Sequence, residues 1–173
     1  GCIDYLDYPH PIIANSANSP VYFLVSTASS CAANGVWRTD GTPEGTRAVM
    51  SGRSIDGFFA VDSGFYALAF DGSGGMGVWY SDGSEAGTRL VQGGFAYNAT
   101  AVYDVGVLEN SFYFVVMRVE QRRYELWRAD TTSAVMLAPV TFKTSVNSAV
   151  YQNALYFAGT NGEMWRVSAG GAP

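Results

Sequence analysis

The chain has 173 residues, enough for one domain with a substantial core, and its 15 acidic and 10 basic residues give a net charge of −5. This charge argues against a general attraction for nucleic acid or for an anionic membrane surface, and no apolar run reaches the roughly 18 residues of a membrane span. Twenty Gly, 11 Tyr and 10 Phe with only 14% charged residues favour an all-β protein rich in turns and aromatic strands.

In chain order, the first predicted element is a strand, "CIDYLDY", at residues 2–8. Four similar units follow, each with an apolar strand, an aromatic strand containing Tyr, a strand containing Trp and, in the first three units, a fourth apolar strand. The second strands read "PVYFLV", "GFYALAF", "SFYFVV" and "ALYFAG". The units cover residues 11–52, 55–93, 99–140 and 146–173.

The repeat is clearest in "GVWRTDGTPEGTRAVM", residues 35–50, and "GVWYSDGSEAGTRLVQ", residues 77–92. The third unit keeps Trp, Arg and Asp in "ELWRAD" but loses the glycines of the turn, and the fourth keeps only Trp-Arg in "EMWR". Because these residues recur, we predict structural roles for them. They are the four tryptophans Trp37, Trp79, Trp127 and Trp165, between adjacent sheets, and Asp40 and Asp82, as turn caps.

Four strands in each period of about 43 residues are typical of a β-propeller blade, whose two faces pack on neighbouring blades. The last unit is one strand short, and the strand at residues 2–8 has no unit of its own. We therefore expect a single domain over residues 1–173, a propeller of four blades in which residues 2–8 pair beside residues 162–168. The alternative is that these are four blades of a longer ring.

The pattern of "LYF", "ELW", "DGT" and "GT" resembles the bacterial secreted and surface proteins with "ELWxxDGTxxGT" repeats. The resemblance spans most of the chain, from "VYF" and "GVWRTDGTPEGT" to "LYF" and "EMWR". It departs from the repeat at Thr131, Thr132 and Ser133, where the third unit lacks the glycine turn. The resemblance implies a propeller-like fold and a periplasmic, cell-surface or secreted location, and it implies no reaction.

Cys2 and Cys31 are the only cysteines. They are expected to form a disulfide with each other, or Cys2 is modified, because the opening "GC" matches the end of a bacterial lipoprotein cleavage box. If residues 2–8 complete the last blade, Cys2 lies next to the blade that carries Cys31.

Candidate binding residues are sought where one unit departs from the others. The loop "RVEQRRYE" of the third unit is the sharpest candidate, because Arg and Tyr are enriched at binding hot spots and clustered guanidinium groups receive carboxylates or phosphates. The alternative is a solvated hairpin of mixed charge. The predicted binding residues are Arg118, Arg122, Arg123 and Tyr124, with Phe95, Tyr97 and Phe142 as exposed aromatics.

We predict no catalytic residue, metal or cofactor, since His10 is the only imidazole and lies between prolines, remote from any short metal-binding spacing. The expected function is a non-catalytic binding or scaffold module, an accessory subunit of an extracytoplasmic bacterial protein assembly. A lectin-like propeller that binds glycans is the alternative. Repeated aromatic pockets would favour the lectin, whereas the loops of this chain all differ and favour one asymmetric protein partner.

Overall fold

A computed structural model describes residues 12–14, 20–25, 34–96, 100–142 and 148–169. In these ranges the chain forms fifteen β-strands and no helix, so the all-β prediction is confirmed. The strands belong to four open antiparallel sheets, in each of which strands adjacent in sequence are paired.

The first sheet contains β1 (Ile12–Ala14), β2 (Val21–Val25), β3 (Gly35–Thr39) and β4 (Arg47–Ser51). The second contains β5 (Ile55–Val61), β6 (Gly64–Phe70), β7 (Gly75–Ser81) and β8 (Arg89–Ala96). The third contains β9 (Thr100–Leu108), β10 (Ser111–Arg118), β11 (Arg123–Ala129) and β12 (Ala134–Val140). The fourth contains β13 (Ala149–Tyr151), β14 (Ala154–Ala158) and β15 (Met164–Ser168).

The sheets pack face to face in chain order, and the core is divided among three seams. The first seam joins the first and second sheets, the second seam joins the second and third, and the third seam joins the third and fourth. Strand β10 shows why consecutive aromatic residues are required. Phe112 and Phe114 face the second seam, whereas Tyr113 and Val115 face the third, and all four are fully buried.

Each recurrent aromatic side chain projects from the same face of its sheet in every unit described below. In the second, third and fourth sheets the tryptophan of the third strand faces the preceding sheet: Trp79 packs in the first seam, Trp127 against the second and Trp165 against the third. The tyrosine of the second strand faces the following sheet, as Tyr22, Tyr66 and Tyr113 do. Trp37 is half-buried on β3 of the first sheet.

The predicted strand at residues 2–8 lies outside the residues that the structure describes, as do Cys2 and Cys31. The described part of the fourth sheet therefore has three strands, with β13 and β15 at its edges. What is established is a set of four consecutive antiparallel sheets stacked on one another.

Candidate functional site

The hairpin between β10 and β11 carries the predicted binding loop. Strand β10 ends at Arg118 and β11 begins at Arg123, so four residues, 119–122, form the tip. The turn is held by the backbone N–H of Arg122, which donates to the carbonyl of Val119 over 3.2 Å, and Arg122 has a φ of 48°. All four tip residues are exposed, and Val119 retains 43% of its accessible surface.

The carboxylate of Glu125 lies beneath this tip and is almost completely buried, at 3% exposure. It accepts hydrogen bonds from Arg118 Nε at 3.1 Å, from Arg123 Nη2 at 2.5 Å and from the indole Nε1 of Trp127 at 3.2 Å. Arg118 also lies over the ring of Phe95, 6.0 Å from its centroid. The network therefore ties both strands of the hairpin to the aromatic core of the second seam.

Register explains this arrangement. Arg118 pairs with Arg123, and Val116 pairs with Glu125, so these four residues share one face of the third sheet. Burial alone would raise the pKa of Glu125, but the hydrogen bonds from Trp127 and Arg123 and the charge of Arg118 outweigh it and lower the pKa. Glu125 is thus charged at neutral pH.

The geometry gives the three arginines of the predicted cluster different surroundings. Arg118 and Arg123 both bond to the single carboxylate of Glu125, which offsets one of their two positive charges. Arg122 is exposed at the tip and makes no ion pair within the described residues. The tip carries exposed charges of both signs on Glu120 and Arg122, as the alternative of a solvated hairpin predicts, whereas the carboxylate of Glu125 beneath it is buried. The alternation of residues 116, 118, 123 and 125 on one face was the signal in the sequence that could have revealed the network.

Two of the aromatic residues predicted to be exposed are buried. Phe95 is 2% exposed and packs edge-on against Phe114 and Trp127 in the second seam. Phe142 is 4% exposed and lies against Tyr124 and Phe157 in the third. Both predictions of exposure are wrong, because each residue lies just beyond the end of a predicted unit and packs against the next sheet.

Tyr124, the last residue of the predicted binding loop, is half-buried and packs against the third seam. Tyr97, the remaining predicted aromatic, lies outside the described residues.

The turns between third and fourth strands are closed by their aspartates. Asp40 Oδ1 accepts the N–H of Thr42 at 3.0 Å and its hydroxyl at 2.7 Å, and Asp82 Oδ1 accepts the same two groups of Ser84 at 2.9 and 2.6 Å. The hydroxyl and N–H of Thr42 hold the pKa of Asp40 below its usual value, and Ser84 does the same for Asp82. These carboxylates are engaged in turn capping.

The third unit keeps the cap without the glycines. Asp130 Oδ1 accepts the N–H and the hydroxyl of Thr132, both at 2.8 Å, and the N–H of Ser133 at 2.9 Å. The turn is shorter, since the N–H of Asp130 bonds directly to the carbonyl of Ser133. The departure from the repeat at residues 131–133 therefore shortens the turn but preserves its capping by an aspartate.

A polar cavity of about 260 Å³ lies at one end of the first seam, lined by Tyr22, Arg38, Asp62 and Asp82 among others. Arg38 Nη1 donates to the carbonyl of Gly83 in the second sheet at 3.3 Å, and its buried Nε has no hydrogen-bond partner in the described part of the chain. Such a cavity can hold a small polar or hydroxyl-rich molecule, because its lining includes the positively charged guanidinium group of Arg38 and the negatively charged carboxylates of Asp62 and Asp82.

The second seam differs at the equivalent position. Tyr80 occupies the place of Arg38, pairs with Tyr66 across the sheet and donates its hydroxyl to the carbonyl of Ser63 at 2.8 Å. Its ring packs on Tyr66 at 5.3 Å between centroids. The arginine that lines the cavity of the first seam is therefore replaced by a hydrogen-bonded tyrosine at the equivalent position of the second.

Nowhere in the described ranges do three or more His, Cys, Asp or Glu side chains come close enough together to hold a metal ion. The same ranges contain no helix long and apolar enough to cross a membrane. No protein-family model matches the chain, and no curated protein has a similar sequence.

Proposed function

We propose that this chain is a non-catalytic binding module that presents the tip of the β10–β11 hairpin to a protein partner. The observation that supports it is the buried Glu125 network, which holds Arg118, Arg123 and Trp127 together beneath an exposed tip. A surface whose supporting side chains are already fixed loses less conformational entropy on binding. The tip combines an apolar residue, Val119, with the exposed cation Arg122.

The proposed architecture is a β-propeller whose blades are the four sheets. Consecutive antiparallel meanders support it, since the second and third sheets bury both faces against their neighbours. Residues 2–8 would add the missing strand beside β15, within one ring of four blades or within a larger ring. Membership among the "ELWxxDGTxxGT" repeat proteins and a periplasmic, cell-surface or secreted location are part of the same proposal. The proposed role is that of an accessory subunit in an extracytoplasmic assembly.

Glycan binding is the second candidate, and the cavity beside Arg38 is the observation that favours it. This cavity differs from the repeated aromatic pockets that would favour a lectin. The tryptophans do not form such pockets, because Trp79 is only 8% exposed and Trp127 and Trp165 also pack in seams. A glycan would therefore bind at one site per chain in the first seam.

Site-specific photo-cross-linking separates the two candidates. A photoreactive amino acid at Gln121 in the tip should cross-link to one defined protein in the native source, and the same group at Glu44, exposed in the β3–β4 turn, should not. Val119→Asp and Arg122→Glu should abolish that cross-link, whereas Glu44→Lys should leave it unchanged. Cross-linking from both positions alike, or loss of glycan-array binding on Arg38→Met with no effect of the tip variants, would contradict the scaffold proposal.

A further inference from the structure

Two hydrogen-bond donors at the end of the first seam have no acceptor among the described residues. Arg38 Nε is buried and has no hydrogen-bond partner in that part of the chain. The hydroxyl of Tyr22, a residue that is only 3% exposed, likewise makes no hydrogen bond to the described residues. Both side chains line the polar cavity of this seam. Because buried polar groups normally have a partner, these two donors are candidates for ligand binding.

The second seam shows why Tyr22 is left without an acceptor. There, the equivalent Tyr66 donates its hydroxyl to the carbonyl of Asn110 at 2.8 Å. The corresponding carbonyl of the first seam belongs to Ser63, and it accepts the hydroxyl of Tyr80 instead. The hydroxyl of Tyr22 is therefore available to a bound molecule.

The two donors lie close together, because both meet the same turn residue. A Cβ on Gly83 would lie 2.1 Å from the hydroxyl oxygen of Tyr22, and Arg38 Nη1 donates to the carbonyl of Gly83 at 3.3 Å. Burial raises the pKa of Tyr22, so its hydroxyl keeps its proton at neutral pH. A ligand oxygen beside this turn can therefore accept hydrogen bonds from both side chains.

Two carboxylates give the cavity an excess of negative charge. Asp62 is exposed, its backbone N–H donates to Asn110 Oδ1 at 3.1 Å, and its carboxylate makes no ion pair within the described residues. Asp82 caps its own turn, and the hydroxyl and N–H of Ser84 lower its pKa, so it is ionised at neutral pH. One guanidinium group and two carboxylates leave a net charge of −1 on the lining.

This combination selects among small polar molecules. A neutral polyol leaves the second carboxylate without a counter-charge, and an acidic molecule adds a further negative charge. A hydroxylated amine matches both parts of the lining, since its ammonium group offsets the excess charge and its hydroxyl oxygens accept from the two donors. The cavity volume of about 260 Å³ lies below the roughly 300–1,000 Å³ of pockets for drug-sized ligands, so it suits one sugar-sized unit.

We propose that the cavity binds a primary amine that carries several hydroxyl groups and has the size of one amino sugar. Its ammonium group faces Asp62 and Asp82, and a hydroxyl oxygen accepts from Arg38 Nε and Tyr22. This ligand class is a narrower form of the glycan candidate and rests on it. It does not involve the hairpin tip, because the cavity lies beside the β5–β6 and β7–β8 turns, whereas the β10–β11 hairpin projects from the opposite ends of the strands.

Isothermal titration calorimetry of the intact chain with glucosamine, glucose and glucuronate tests the charge requirement. Glucosamine should bind with a Kd at least about fivefold lower than that of glucose, the ratio expected for a partly exposed charge pair, and glucuronate should bind most weakly. Asp62→Asn should bring the Kd values of glucosamine and glucose together. The matched control is Glu85→Gln, which removes an exposed carboxylate of the β7–β8 turn outside the cavity and should leave their ratio unchanged.

Tyr22→Phe tests the position of the ligand. It removes a hydroxyl that makes no hydrogen bond to the described residues, so the unfolding midpoint should not fall, while the Kd of both sugars should rise about fivefold. Absence of glucosamine binding, a preference that Asp62→Asn and Glu85→Gln reduce equally, or a Kd unaffected by Tyr22→Phe would each overturn the proposal. Binding of glucose as tightly as glucosamine would overturn it while leaving the glycan candidate standing. Partner cross-linking from Gln121 in the Tyr22→Phe variant tests the hairpin function separately.

Discussion

The carboxylate of Asp82 occupies the space where a side chain at position 87 would begin: a Cβ on Gly87 would lie 2.1 Å from Asp82 Oδ1. The same relationship joins Gly45 to Asp40, at 1.9 Å. The second glycine of the repeated turn is therefore required by the capping aspartate and not by its own backbone conformation, since only the first glycine, Gly41 or Gly83, has a positive φ.

Gly87→Ala should lower the free energy of unfolding by about 1 kcal/mol, because the methyl group displaces the Asp82 carboxylate from the N–H and hydroxyl of Ser84. In an Asp82→Ala background the same substitution should have almost no effect. Denaturant unfolding of the two single variants and the double variant measures this coupling. Additive effects would show that the carboxylate and the glycine are independent.

Removal of the buried carboxylate should destabilise the hairpin strongly. Glu125→Gln leaves Arg118 and Arg123 without their counter-charge, and we expect a loss of about 2 kcal/mol, below the usual range for a buried ion pair because both arginines are partly exposed. Glu120→Gln, an exposed change in the same loop, serves as the control and should be nearly neutral. Thermal and denaturant unfolding measure both variants. If Glu125→Gln lowered the free energy of unfolding no more than Glu120→Gln does, the network would not stabilise the fold.

Two equivalent tyrosines should respond in opposite ways to loss of the hydroxyl. Tyr66 donates to the carbonyl of Asn110 across the second seam at 2.8 Å, so Tyr66→Phe should cost about 1 kcal/mol. The buried hydroxyl of Tyr113 has no partner within the described ranges, so Tyr113→Phe should be neutral or stabilising. Urea unfolding of both variants measures the difference, and a larger loss for Tyr113→Phe would contradict the assigned contacts.

Lowering the pH should reduce the free energy of unfolding in part because Asp71 becomes protonated. Its carboxylate accepts the N–H of Gly94 in β8 and the N–H and hydroxyl of Ser73, which lower its pKa to about 2. An unfolded Asp has a pKa of about 3.9, so the folded state holds this proton less tightly. The stabilisation is present above about pH 4 and is lost as the pH falls towards 2.

Asp71→Asn should therefore flatten the dependence of unfolding free energy on pH in this window. Asp104→Asn removes an exposed carboxylate on β9 and is the control. Carboxyl NMR titration gives the pKa of Asp71 directly. A titration near the unfolded value would contradict the hydrogen bonds from Gly94 and Ser73.

The sequence by itself determined the strand content and the turn chemistry, because both depend on residues close together in the chain. Tyr113 between Phe112 and Phe114 already requires a strand buried on both faces, and the cap of Asp40 involves a residue only two positions away. The repeat then extends this local pattern to four sheets.

Only the tertiary structure decided which surfaces are free. Phe95 and Phe142 were predicted as exposed and are buried, because a neighbouring sheet from another unit covers them. Met164 stands where the repeat has a buried residue and is exposed. Burial of a side chain depends on what packs against its face, and for Phe95 and Phe142 that partner lies in the next unit of the sequence.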